Sequence, residues 1–224
     1  MPRPYVQRSR ADKAAETRER ILAAARELLP EADGLKVEEI ARRARVSLPT
    51  LYSHFGSKVG MLSALVSEIE REAGLFAGFE RVWRCTDGET ALRTMLEATV
   101  SFWQHAWVFV EFGLRVRRTD PELGERFDRL DASRMGHLVV ICRRLRDEHR
   151  LRQGVSPERA GRLAFALTTP YVYEALVVQG EVAAQAARRM VVEAAGWAVL
   201  RPGSEALQAE AIDWVGLGLK PPVS

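Results

Sequence analysis

Much of what marks an enzyme, a secreted protein or a membrane protein is missing from this chain. Its 224 residues hold two cysteines, Cys85 and Cys142, far apart and outside any C-x-x-C pattern. A disulfide framework is therefore excluded, and both thiols are expected to be small packing residues in a reduced, cytoplasmic compartment. No apolar run approaches the roughly 20 residues that a membrane-spanning helix needs. The first residues, MPRPYVQRSRADK, are basic and polar and lack the apolar stretch of a secretory signal. The histidines, His54, His105, His137 and His149, show no metal-ligand spacing with one another or with cysteine. There is no G-x-S-x-G, no P-loop and no G-x-G-x-x-G. No metal, no cofactor and no catalytic residue is expected, and the chain is not read as an enzyme. Strand-like alternation, internal repeats and low-complexity tracts are missing too.

What is present is helical periodicity and an uneven charge. Residues 1–60 carry 12 of the 33 basic side chains but only 8 of the 30 acidic ones, so the positive excess of the chain lies in its first quarter. An anionic partner for that end follows, with nucleic acid ahead of a membrane surface. Apolar residues Ile21, Leu22, Ala25, Leu28 and Leu29 predict a helix over 15–29, stopped by Pro30. Val37, Ile40, Ala41 and Ala44 predict a second helix over 37–44, and a third spans about 48–55. Ser57 is the expected N-cap of a fourth, with Met61, Leu62, Leu65, Val66 and Ile69 on its inner face. Further on, Asp87 caps a helix running to about 106, and Asp120 with Pro121 opens a long one. In that long helix Arg134 interrupts an apolar stripe. Ser156 opens a helix expected over 157–179, apolar almost all round and kinked at Pro170. An alanine-rich helix closes the series at 182–200. The fold class is all-α: a three-helix head joined to a larger helical bundle.

The stretch RVSLPTLYSHFGSK, residues 45–58, carries the chemistry. Helix 37–44, a short turn and helix 48–55 form a helix-turn-helix candidate. Ser47 is an N-cap. Pro49 falls at the second helical position, where its missing N–H costs nothing, so Ser47 must accept from the amide of Thr50. Val46 and Leu51 form a hydrophobic staple across the cap. Leu51 and Phe55 face inward against Ile40 and Ala44. Leu48, Thr50, Ser53 and His54 are then left mostly outward, with Tyr52 on the flank. Thr50, Tyr52, His54 and Lys58 are short-range donors of the kind that grip phosphate oxygens. Leu48 and Pro49 lie where a recognition helix reaches base edges, and Leu48 suits a thymine methyl. The other reading of the same residues is a hairpin of core helices with a polar face.

These residues resemble a known family. VEEIARRARVSLPTLYSHFGSK, with RERILAAARELL before it, is similar to the DNA-binding domain of the TetR family of bacterial transcriptional regulators, over about residues 16–66. The resemblance implies a homodimer with a three-helix head that binds an operator in double-stranded DNA. It also implies a larger helical domain that dimerises and binds a small molecule. Carried onto this chain, the DNA contacts fall on Thr50, Tyr52, His54 and Lys58, with Leu48 and Pro49 at the groove and Arg45 and Ser47 in the turn. Three positions depart from the family pattern. Arg45 stands where glycine is usual, and a positive φ there would cost about 1–2 kcal/mol. Lys36 replaces the Ser or Thr that caps the second helix, and Val59-Gly60 replaces the acidic residue after the lysine.

The domain boundaries read as an arm at 1–15, a head at 16–60, a body at 61–203 and a tail from 204. Arg3, Arg8, Arg10 and Lys13 of the arm could follow phosphates, although a solvated tail is the favoured reading. In the body, SFWQHAWVFVEFGLRVRR gathers Phe102, Trp103, Trp107, Phe109 and Phe112 with His105, Glu111 and Arg115. Apolar rings with a few polar groups are the usual composition of a ligand site, so this segment is a candidate lining for an apolar pocket. Solid core is the alternative. Met135, His137, Tyr171 and Tyr173 are further candidates. The helices at about 157–179 and 182–200 are the expected dimer interface. The reading that follows is a repressor that releases a palindromic operator when a small molecule binds. Its alternative is a ligand-independent regulator with a solid body.

Overall fold

In the computed structural model, which describes residues 10–31 and 34–203, the chain is all-helical apart from loops and a single bridge between Leu151 and Leu200. Arg3, Arg8 and the tail from residue 204 lie outside the described residues. Helix α1 (Arg10–Leu28) starts earlier than the expected residue 15, so Arg10 and Lys13 stand on its first turns. The sequence ADKAAETRER is made of good helix formers, with Asp12 placed favourably in the first turn. A single turn, Leu29–Glu31, follows at Pro30.

Two short helices complete the head, α2 (Val37–Arg43) and α3 (Leu48–Phe55). Helix α4 (Lys58–Glu72) leads into the body and is capped by Ser57, whose Oγ accepts from the Gly60 amide at 2.9 Å. The body then runs through α5 (Leu75–Arg84), α6 (Gly88–His105), α7 (Trp107–Thr119) and α8 (Pro121–Asp147). The expected caps form. Asp87 accepts from Thr90 N at 2.7 Å, Asp120 from Leu123 N at 3.2 Å, and Ser156 from Arg159 N at 3.2 Å.

The expected single helix over 157–179 is broken. Helix α9 (Pro157–Leu167) stops, α10 (Pro170–Tyr173) restarts after it, and a wider π-type turn follows at Glu174–Gln179. Pro170 drives the residue before it out of helical geometry, and Thr169 sits at φ −69°, ψ 154°. The chain ends its described course in α11 (Ala184–Val199).

Two apolar clusters hold the molecule together. The first joins the head to α4, the C-terminal half of α6, α7 and the start of α8, through Ile21, Leu51, Leu65, Phe109 and Phe127 among others. The second unites α5, α6, α8, α9 and α11 around Met95, Ile141, Ala164 and Ala195. Cys142 is fully buried in it, and burial, helped by Glu158, pushes its thiol up to about 12. That suits a packing role. Leu163, Tyr171, Val178 and Trp197 remain exposed on α9, α10, the π-type turn and α11.

Candidate functional site

The local chemistry of α3 is the one its sequence demands. Ser47 is extended at φ −79°, ψ 155°, and its Oγ accepts from the Thr50 amide at 3.2 Å and meets the Thr50 hydroxyl at 2.8 Å. Pro49 occupies the second helical position. Leu51 is wholly buried, and Val46 packs against the same cluster, so the staple is formed. Phe55 is half-buried beneath the Arg18 guanidinium of α1, 5.4 Å from the ring centre. The outer face then presents Tyr52 and Ser53, with Thr50 and His54 half-exposed. Ser53 donates to the Thr50 carbonyl at 2.8 Å, which spends its hydroxyl proton on the helix itself. Leu48 is less outward than expected: it is half-buried against the core.

The three departures from the family pattern each have a local outcome. Arg45 does adopt φ +55°, so the turn keeps left-handed geometry despite its side chain, while Val46 N donates to Ala41 O at 2.9 Å. Lys36 caps nothing with its side chain. Gly60 is required by contact: a Cβ there would stand 2.0 Å from the Phe55 carbonyl oxygen.

Lys58 is engaged by the body. Its ammonium does not stand free beside the recognition helix but binds Asp120 at 2.5 Å and lies 3.9 Å from Glu122. Asp120 is also the N-cap of α8, so the lysine pins the start of α4 to the body. A phosphate contact by Lys58 requires this pair to open. Nearby, Arg126 Nε donates to Ser63 Oγ at 3.2 Å, and Arg115 Nη2 donates to the Leu29 and Pro30 carbonyls at 2.8 and 3.0 Å. These polar contacts form the seam between head and body.

Inside the body, α4 to α8 and Pro170 enclose a cavity of about 360 Å³. Its wall is largely aromatic and aliphatic: Phe76 and Phe79 from α5, Phe102 and Trp103 from α6, Phe109 and Val110 from α7, Phe127 and Leu130 from α8. Helix α4 contributes Val66 and Glu70. The polar lining comprises Thr99, Arg117, Asp131, Ser133, Arg134, His137 and Glu70. Burial raises the Glu70 carboxyl above its ordinary range, with the charge of Arg126 pulling the other way. Arg134 is buried between the rings of Trp103 and Phe165, and desolvation lowers its pKa to about 10, against the pull of Asp131. It stays cationic at neutral pH.

Of the residues singled out from sequence, Phe102, Trp103, Phe109 and His137 line this cavity. Trp107 stacks on Tyr173 instead, with ring centres 5.3 Å apart. Phe112 is core at 0% exposure, and Arg115 serves the seam. Met135 is half-buried outside the lining, and Tyr171 points outward at 52% exposure. The lining from α4 and α5, and that from α8 other than His137, was missed. One signal was available for it, the single arginine at position 134 in an otherwise apolar helical stripe.

With this geometry in view, the chain can be set beside known proteins. Residues 21–65 match the family model of bacterial regulatory proteins, tetR family. This is a TetR-like chain. The match covers α2, α3, the C-terminal part of α1 and the first half of α4, which is the helix-turn-helix and what flanks it. Solved structures extend the likeness to the TetR-like body. A TetR transcription regulator from Haloarcula marismortui superposes with TM-score 0.62 at 21% identity, over 83% of this chain and 99% of that one. NalD of Pseudomonas aeruginosa, the secondary repressor of the MexAB-OprM multidrug efflux pump, gives 0.63 at 21%, over 86% and 100%. SmeT, the repressor of a Stenotrophomonas maltophilia efflux pump, gives 0.65 at 21% in its complex with triclosan, over 88% and 99%. At these identities the likeness is one of fold. No curated protein sequence matches this chain significantly.

Proposed function

We propose that this TetR-like chain is a ligand-responsive repressor. It binds a palindromic operator as a homodimer and releases it when a small molecule fills the body. Thr50, Tyr52 and His54 grip phosphates from α3, Pro49 and the half-buried Leu48 approach the bases, and Arg45 and Ser47 shape the turn. The observation that carries the reading is the cavity whose wall includes Val66 and Glu70 of α4, the helix that starts just after α3. A molecule seated there touches the element that sets the angle of the head. The ligand need only bind one head arrangement better than the other to shift the balance. The pair Lys58–Asp120 is the stiff link that passes the shift on. SmeT, alike in fold, is known with triclosan bound, and NalD is also a repressor. Both support the reading by analogy.

A two-fold partner suits the exposed apolar side chains on α9, α10 and α11, and two heads must stand about 34–36 Å apart to read successive turns of one duplex face. A gel shift with the DNA flanking its own gene tests the reading. Compounds that raise the melting temperature should also dissolve the complex. At a hundred times its dissociation constant a ligand adds about 2.7 kcal/mol of stability. A compound that stabilises the protein yet leaves it on DNA would support the ligand-independent alternative.

A further inference from the structure

The cavity is not uniformly apolar, and several nitrogens of its basic side chains lack a hydrogen-bond partner. Among the described residues, Arg134 Nε and Nη2, Arg117 Nε and His137 Nδ1 are buried with no hydrogen-bond partner. Arg134 is only 8% exposed. One of its nitrogens, Nη1, is satisfied by the Thr168 hydroxyl at 2.9 Å, and Asp131 stands 3.5 Å from Nη2. Asp131 already accepts from Arg117 Nη2 at 2.5 Å. Both guanidiniums therefore share Asp131, Arg117 Nε has only the exposed Asp128 at 3.4 Å besides, and the remaining acid of the lining, Glu70, is pushed by burial toward its neutral form. Buried donors left unmade are costly, and a site keeps them when something else supplies the acceptor. Apolar rings of α5 complete the wall: Phe79 lies 5.6 Å from the His137 ring, and Phe76 lines the cavity while 48% exposed.

We propose that the cavity takes an amphipathic organic anion, whose carboxylate is held by Arg134 with help from Arg117 and His137 and whose apolar body lies along the phenylalanines toward α5. This rests on the cavity being an effector site, as proposed above. Charge-assisted bonds to a planar guanidinium fix both the sign and the geometry of the ligand's head. An ammonium in the same place would meet cations, and an alcohol would satisfy fewer of the waiting donors.

The test is isothermal titration of the full-length protein with three head groups on two bodies: decanoate, 1-decanol and decylamine, then 2-naphthoate, 2-naphthylmethanol and 2-naphthylmethylamine. At least one carboxylate should bind about tenfold or more tightly than its own alcohol and amine. Arg134→Gln should erase that preference and leave the alcohol's affinity in place. Should Arg134→Gln not fold, Arg117→Gln, nearer the surface, should reduce the preference severalfold. If an alcohol or amine binds as well as its carboxylate, the anion assignment is lost and the effector reading stands. If the preference survives in Arg134→Gln, the carboxylate is held elsewhere and the assignment is again lost. If none of the six probes binds, both readings fail together.

Discussion

The head and the body of this molecule reach function by different routes. The head is built from neighbours. Ser47 caps three residues ahead, Val46 staples to Leu51, and Gly60 yields to the Phe55 carbonyl, all inside one short stretch. The body is built from strangers. Its cavity needs Val66, Phe102, Phe109 and Phe127 from four different helices, and Arg134 finds its partner in Thr168. A head of this kind is a unit of local chemistry, whereas the cavity exists only when the whole bundle has assembled. The two meet through a shared apolar cluster and a seam of specific polar contacts, so neither is indifferent to the other.

The sharpest way to break the comparison is in the head's own core. Leu51 is wholly buried, and Leu51→Ala should cost about 2–5 kcal/mol. DNA binding should vanish while the body, measured by ligand-induced thermal shift, keeps its cavity. Loss of both would show that the head is not separable. A smaller effect is expected at the turn. Arg45 sits at φ +55°, so Arg45→Gly should gain about 1 kcal/mol and raise the melting temperature by about 2–4 °C. An unchanged melting temperature would mean that the turn relaxes at no cost.

The seam offers a third probe. Asp120→Asn keeps an acceptor for the Leu123 amide but removes the charge that holds Lys58, leaving it only Glu122 at 3.9 Å. Affinity for DNA should rise about threefold, and the logarithmic salt slope should steepen by about one if Lys58 then reaches a phosphate. No change in slope would place Lys58 permanently with the body. The smallest effect concerns Glu70. Its carboxyl is raised from 4.5 in the folded chain by burial, so the folded state holds that proton more tightly than the unfolded one. That contribution is complete below 4.5 and is lost as pH rises through the raised value. Glu70→Gln should therefore flatten the stability profile in this window and give a small gain in melting temperature at neutral pH.

The same contrast governs what could be read beforehand. Caps, staple and buried face of α3 follow from spacing, because every partner lies within a few residues. Lys58 and Leu48 escaped, since their surroundings come from the body and from packing beneath the helix. In the body, helix starts were legible through Asp87, Asp120 and Ser156. The aromatic segment was found, yet it divides among cavity, core and seam: Phe102 and Trp103 line the space, Phe112 is core, and Arg115 ties down the head. Helical spacing tells which residues turn inward. It does not tell whether they meet a neighbour or an empty volume, since that depends on helices distant in sequence. The break at Thr169–Pro170 was read as a kink, because a proline alone does not say whether the helix resumes on the same axis.

The central claim, that the outer face of α3 grips a duplex, is tested most directly by an anisotropy titration. The DNA flanking the gene is titrated with the parent protein and with Tyr52→Ala over a range of salt. Tyr52 is 39% exposed, so its loss should leave the melting temperature unchanged. The expected result is two copies per duplex, affinity falling linearly on logarithmic axes with salt, and about tenfold weaker binding for the variant. Equal binding by Tyr52→Ala, or no complex with the parent at any salt, would contradict the account.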